Sequence, residues 1–139
     1  MRAVEVLVSG RSPLRPDRAA DLVERVMRGE RRGGQISLTF VGRDAMRRMH
    51  REYKGASKVT DVLAFALAGP GDRLVGDIYV CPWVASREAG RRRLPVREEV
   101  SRYVVHGVLH VLGYDHPEDA SRLQSPMWRR QERYLEAGR

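Results

Sequence analysis

The stretch that decides the fold runs Val96-Arg-Glu-Glu-Val-Ser-Arg-Tyr-Val-Val-His106-Gly107-Val-Leu-His110-Val-Leu112-Gly113-Tyr114-Asp115-His116. From Val96 to Leu112 it is the longest helical pattern in the chain. Its second half is apolar nearly all round, which places a helix in the interior rather than on the surface. That buried helix also carries chemistry. His106 and His110 are four apart, so they share one helix face with Cβ atoms roughly 6 Å apart. Gly113 can take the left-handed conformation that ends a helix and turns the chain back. His116 then approaches the same point from the loop. Three neutral imidazoles with a fourth position left open are the pattern of a catalytic zinc site.

The spacing His-x-x-x-His-x-x-Gly-x-x-His equals that of the metzincin proteases, which carry Glu after the first His as general base. Here that position is Gly107. The metal cage is expected without the protease base. A single His on an apolar helix is commonly a core residue, but three at ligand spacing with Gly113 at the turn point to a metal. A structural zinc usually recruits a fourth protein ligand, often Cys. The single cysteine, Cys81 in Tyr79-Val80-Cys81-Pro82, is read instead as a buried apolar residue.

The chain has 139 residues, the length of one domain spanning 1–139. Its hydrophobic content of 42% is enough for a core rather than a disordered chain. One cysteine excludes an intramolecular disulfide and fits a reducing cytosol. Met1 to Gly10 lacks the apolar stretch of a signal peptide, and no run approaches the roughly 18 apolar residues of a membrane span. A cytoplasmic protein with no membrane partner is the expectation. The formal net charge of +8 suits a polyanion. The clusters Arg31-Arg32, Arg91-Arg92-Arg93 and Arg129-Arg130 fit that role, and fit equally a merely solvated surface.

The rest of the chain supplies the frame. Val4, Val6 and Val8 alternate with Glu5 and Leu7, predicting a first strand. Ala19, Leu22, Val23, Val26 and Met27 recur at helical spacing after Pro16 and Asp17. Ile36, Leu38 and Phe40 predict a second strand. Asp44 is expected to cap a short helix bearing Met46, Met49, His50 and Tyr53, stopped by Gly55. Val62 to Leu67 predicts a third strand, Gly69 to Asp72 a turn, and Leu74 to Val80 a fourth strand paired with the third. Pro82 opens a helix to about Arg92, and a last helix runs from about Ala120 to Glu136. This order predicts an α+β fold: a mixed four-stranded sheet with helices packed on its faces and a central buried metal-binding helix.

The histidine segment resembles the signature of the YbeY endoribonucleases, the rRNA maturation factors of bacteria. Val59-Thr60-Asp61-Val62-Leu63-Ala64-Phe65 resembles that family's Pro-Thr-Asp-Val-Leu-Ser-Phe stretch, and Val75-Gly76-Asp77-Ile78 its Leu-Gly-Asp-Ile strand. Met127 and Glu132 match the pattern of its final helix. The resemblance covers roughly Phe40 to Leu135. It implies a single-strand-specific, metal-dependent endoribonuclease in small-subunit rRNA 3′ end maturation and ribosome quality control, with one Zn²⁺ per chain on His106, His110 and His116. Its partners would be single-stranded RNA or rRNA and the small ribosomal subunit. Two departures matter. The family usually has Asn-x-x-Tyr-Arg before the Thr-Asp-Val-Leu motif, with that Arg functionally critical. Here the segment is His50-Arg51-Glu52-Tyr53-Lys54. Lys54 keeps the charge and loses the bidentate fork, and Arg51 lies one helical turn back. His50 replaces the Asn and reads as a core residue, a proton shuttle or a residue without a functional role.

The candidate catalytic residues are therefore Lys54, Arg51 and Asp115, with Lys54, Arg51 and Tyr114 as candidate substrate contacts. Lys54 or Arg51 would offset charge on a transition-state phosphate. Asp115 would move a proton or hold the turn. Tyr114 would stack on a base or pack. Asp61 and Asp77 would orient backbone or ligands. Two rivals stand beside the nuclease: a metalloprotease-like hydrolase, opposed by Gly107, and an RNA-binding ribosome assembly factor whose zinc is mainly structural.

Overall fold

A computed structural model describes residues 3–54, 62–68, 73–115 and 120–137. The elements follow in the order β1 (Val4–Ser9), α1 (Pro16–Gly29), β2 (Gly34–Phe40), α2 (Arg43–Lys54), β3 (Val62–Ala68), β4 (Leu74–Val80), α3 (Pro82–Arg92), α4 (Val96–Val111), a short 3-10 helix (Ala120–Gln124) and α5 (Pro126–Ala137). The four strands form one sheet in the order β1-β2-β4-β3. β1, β2 and β4 run parallel, with Val6 beside Ile36 and Ile36 beside Gly76. β3 is antiparallel on the edge, with Val62 beside Val80 and Ala64 beside Ile78. The expected mixed sheet is the observed one.

Alternation along the strands sorts the core into two layers. Ile36, Leu38, Phe40, Ile78 and Val80 point toward α1 and α4 and join Val23, Val26, Val104, Val108 and Leu109 in the main core. Leu63 and Cys81, with Phe65 and Tyr79, point to the other face and pack with Met46 and Met49 of α2. Cys81 is fully buried there, as its apolar reading requires. α4 is the central helix: ten of its residues, including Val100, Val104 and Leu109, are buried.

The helix lies close to the sheet because small residues meet it from both sides. A Cβ on Gly107 would sit 2.6 Å from Ile78 Cγ2 and 3.2 Å from Val62 Cγ1. A Cβ on Gly76 would sit 2.7 Å from Val111 Cγ1. Each glycine gives the space that the opposing branched side chain fills, which fixes the height and register of α4 over β3 and β4.

Two boundaries differ from expectation. The last helix is broken in two, since Pro126 cannot donate to a continuing helix; Ser125 Oγ instead accepts from the Trp128 backbone N–H at 3.2 Å and starts α5 afresh. Asp44 lies in the first turn of α2 rather than capping it; the carboxylate there still complements the positive helix end. Gly55 and the Gly69 to Asp72 turn lie outside the described residues. Among the described residues, no helix is long and apolar enough to cross a membrane.

Candidate metal centre

α4 carries His106 and His110 side by side, with ring centroids 4.5 Å apart and planes at 83°. Each ring is fixed from behind by an oxygen. His106 Nδ1 lies 2.8 Å from Gln131 Oε1 on α5. His110 Nδ1 lies 3.1 Å from the Tyr114 carbonyl oxygen. Both oxygens are acceptors, so each Nδ1 carries the proton and donates it, and the lone pair of each ring falls on Nε2. A histidine whose Nδ1–H is held by a carbonyl and whose Nε2 is basic is the arrangement metal-ligating histidines adopt. The donor set present fits a zinc ion in this respect.

The turn beyond His110 is also built for the purpose. Gly113 has φ +102°, and the Tyr114 N–H reaches the Leu109 carbonyl while the Gly113 N–H reaches that of His110, each at 3.0 Å. This is a Schellman closure, which satisfies helix carbonyls with a left-handed residue after the cap. It delivers the Tyr114 carbonyl to His110 and aims the chain at the next residues. His116, the third expected ligand, lies outside the described residues. Among the described residues, no third His, Cys, Asp or Glu completes a metal-sized cluster.

Two networks hold this frame. Arg102 of α4 makes a bidentate pair with Glu132 of α5, both contacts at 2.9 Å, and binds the buried Glu99. Gln131 Nε2 donates to Glu132 Oε2 at 3.0 Å, so the amide that holds His106 is oriented by a carboxylate that Arg102 already holds. Burial pushes the Glu132 carboxyl up, but the Arg102 and Gln131 hydrogen bonds outweigh it and leave it below the usual range. The second network centres on Glu30, just past α1. It accepts from the hydroxyls of Tyr114 (2.6 Å) and Tyr134 (2.5 Å) and from Arg130 (3.0 Å), while the Arg130 guanidinium stands 5.2 Å from the Tyr114 ring centroid. Burial raises the Glu30 carboxyl, and these three partners bring it below its ordinary value. The Tyr134 hydroxyl is pushed up to about 12 by its burial and by the Glu30 bond. Tyr114 is thus tied at both ends, its carbonyl to His110 and its hydroxyl to Glu30.

Residues 12–138 match the family model described as Endoribonuclease YbeY. The chain belongs to the Endoribonuclease YbeY family. Its relatives include the Endoribonuclease YbeY of Halorhodospira halophila, 34% identical over 85% of this chain and 82% of that protein. That of Anaeromyxobacter sp. is 41% identical over 67% of this chain and 50% of its own length. The chain therefore spans about four fifths of the first relative and half of the second. The solution structure of TM1509 from Thermotoga maritima superposes with a TM-score of 0.65 at 25% identity, covering 96% of this chain and 88% of the other.

The other candidates of this family member fall in different places. Arg51 is exposed on α2, which packs on the sheet face opposite α4. Lys54 closes α2, and its side chain, like Asp61, lies outside the described residues. Asp115 is exposed directly after Tyr114. Asp77 accepts the Tyr79 hydroxyl at 2.8 Å on the α2 face, which raises the Tyr79 hydroxyl to about 12. His50 is buried. Gln131 was missed by sequence reasoning. Its signal is the stripe Met127, Gln131, Leu135, the three buried residues of α5, in which one amide interrupts an apolar i, i+4 row.

Proposed function

We propose that this chain is a zinc-dependent endoribonuclease specific for single strands, with His106, His110 and His116 as ligands. The observation that carries the reading is the paired orientation of the two imidazoles, each Nδ1–H held by an oxygen so that Nε2 is the basic atom. When bound, zinc supplies Lewis acidity toward a phosphodiester and toward water. Everything else comes from the chain. Gln131 and the Tyr114 carbonyl hold the imidazole tautomers. Lys54, or Arg51 one turn back, offsets charge building on the phosphate. Asp115 takes a proton or holds the turn.

The metalloprotease reading is opposed by the space at Gly107. The position that would bear a glutamate base faces Ile78 and Val62 and has no room even for a Cβ. The family name of the relatives supports RNA as the substrate. Work in small-subunit rRNA 3′ end maturation and ribosome quality control, in the cytoplasm, belongs to the same proposal. The experiment is metal analysis of the purified protein together with parallel assays on single-stranded RNA, the same RNA in duplex form, and a peptide library. Zinc-dependent cleavage of the single strand alone is the expected result. His110→Ala with RNA affinity kept and cleavage lost separates catalysis from a pure binding role; a fully functional His110→Ala would overturn the proposal.

A further inference from the structure

Away from the histidines, Arg43 at the start of α2 and Arg87 on α3 are seated on one ring. Their guanidinium carbons lie 4.5 and 5.1 Å from the centroid of the Trp83 ring. Trp83 is 38% exposed, a large apolar side chain left at the surface. Two cations on one indole stand within about 10 Å of each other, about one Debye length at 0.1 M salt, so they repel. Some arginines elsewhere are held by a carboxylate: Arg91 by Glu88, Arg92 by Glu99, Arg73 by Glu5. Among the described residues, neither Arg43 nor Arg87 has an ion-pair partner, and neither do Arg47, Arg48 and Arg51 along α2. The indole holds both guanidiniums in place by cation–π contact, and an anion between them would relieve the repulsion.

The position of this cluster matters. Trp83 follows Val80 by three residues, and Val80 pairs with Val62 at the sheet edge. Gly107, next to His106, packs on that same Val62. The Trp83 cluster and the helix that carries the histidine pair thus both adjoin the Val62–Val80 end of the sheet.

We propose that Arg43, Trp83 and Arg87 form an anchoring subsite for the backbone of a single-stranded RNA, which holds the strand on the α2–α3 side while a neighbouring nucleotide reaches the histidines. Guanidiniums grip phosphate oxygens, and the exposed part of the indole offers apolar contact to a nucleotide. The inference rests on the RNA reading of the proposed function. The arginine run of α2 continues the same positive surface toward Lys54.

The test is a rapid-mixing titration of the full-length protein with an oligouridylate, read before turnover and repeated over a salt series. Arg43→Gln/Arg87→Gln should lower the salt slope by about 1.4 units, about 0.7 for each phosphate contact to a single strand. A fourfold rise in salt should then weaken the wild type about sevenfold more than the variant. Trp83→Leu should weaken binding in the same direction, with the thermal midpoint of every variant close to wild type. Equal slopes for wild type and double variant would overturn the subsite, whereas a wild type without RNA affinity would overturn the RNA reading and the subsite together. Anionic phospholipid vesicles form the control arm. A double variant that loses vesicle binding and keeps the RNA slope would make this a membrane-facing patch and overturn the proposal.

Discussion

His106 of α4 donates its Nδ1 proton to Gln131 Oε1 of α5 at 2.8 Å, and Gln131 is itself 1% exposed. A buried amide in an apolar stripe needs partners on both its ends; His106 takes the oxygen and Glu132 the nitrogen. Gln131→Leu leaves the ring without its orienting acceptor. Zinc affinity should fall by about 10–100-fold, the scale of a lost partner behind a metal-ligating histidine. A chelator-competition titration reads this directly. Unchanged affinity in a folded Gln131→Leu would mean that packing alone orients His106.

Gly107 tests the other side of α4. Gly107→Ala puts a Cβ 2.6 Å from Ile78 Cγ2 with a second contact on Val62. Lifting the helix by a few tenths of an ångström should cost about 1–3 kcal/mol, the range for overpacked cores. Urea denaturation measures it. Ile78→Val in the same chain should recover part of the loss, because it trims the side chain that the new methyl meets.

Gly113 isolates conformation from contact. Among the described residues, no heavy atom lies within 4 Å of a Cβ built there, yet φ is +102°. Gly113→Val opposes the left-handed turn even where its Cβ finds open space, costing on the order of 1 kcal/mol or more. Because that turn delivers the Tyr114 carbonyl to His110, zinc affinity should fall more than global stability does. Calorimetric zinc titration beside thermal melts compares the two, and wild-type affinity in the variant would refute the turn argument.

The sheet was readable because its signals are local. Ile36, Leu38 and Phe40 alternate, Pro16 and Pro82 open their helices, and the apolar run to Leu112 announces a buried helix. The histidine pair was readable for the same reason, since i, i+4 spacing is a property of one helix. What could not be read was long-range. Glu30 meets Tyr114 across 84 residues and Tyr134 across 104, and Gln131 meets His106 across 25. Such contacts depend on how α1, α4 and α5 cross. Gly107 is the instructive case: the sequence presents it as a missing base, and the structure adds that it is a spacer against Ile78.

The clamp between α4 and α5 carries a pH signature. The folded-state Glu132 carboxyl lies below its ordinary value of 4.5, as does Glu30. A lowered carboxyl makes the folded chain bind fewer protons than the unfolded one, so stability is full above that ordinary value and is lost as pH falls through the folded value. Arg102 and Arg92 are the cations facing Glu132. Thermal midpoints should hold near neutrality and decline below about pH 4.5. Glu132→Gln should lower the neutral midpoint and flatten the acid decline; an equally steep decline in this variant would assign the acid lability elsewhere.

Lys54 closes α2 at the position where the resemblance leads one to expect an arginine. If its role is charge near the phosphate, Lys54→Arg should keep or raise RNA cleavage. Lys54→Ala should lower it by ~10²-fold or more, the scale of one lost transition-state donor. Zinc content should be unchanged in both variants, because a protonated amine is no ligand. RNA binding should weaken slightly, its salt slope falling by about 0.7 unit as for one phosphate contact to a single strand. Arg51 sits one turn back on the same helix, exposed and without an ion-pair partner among the described residues. Wild-type cleavage by zinc-loaded Lys54→Ala would therefore move the role to Arg51, and Arg51→Ala would then show the ~10²-fold loss instead.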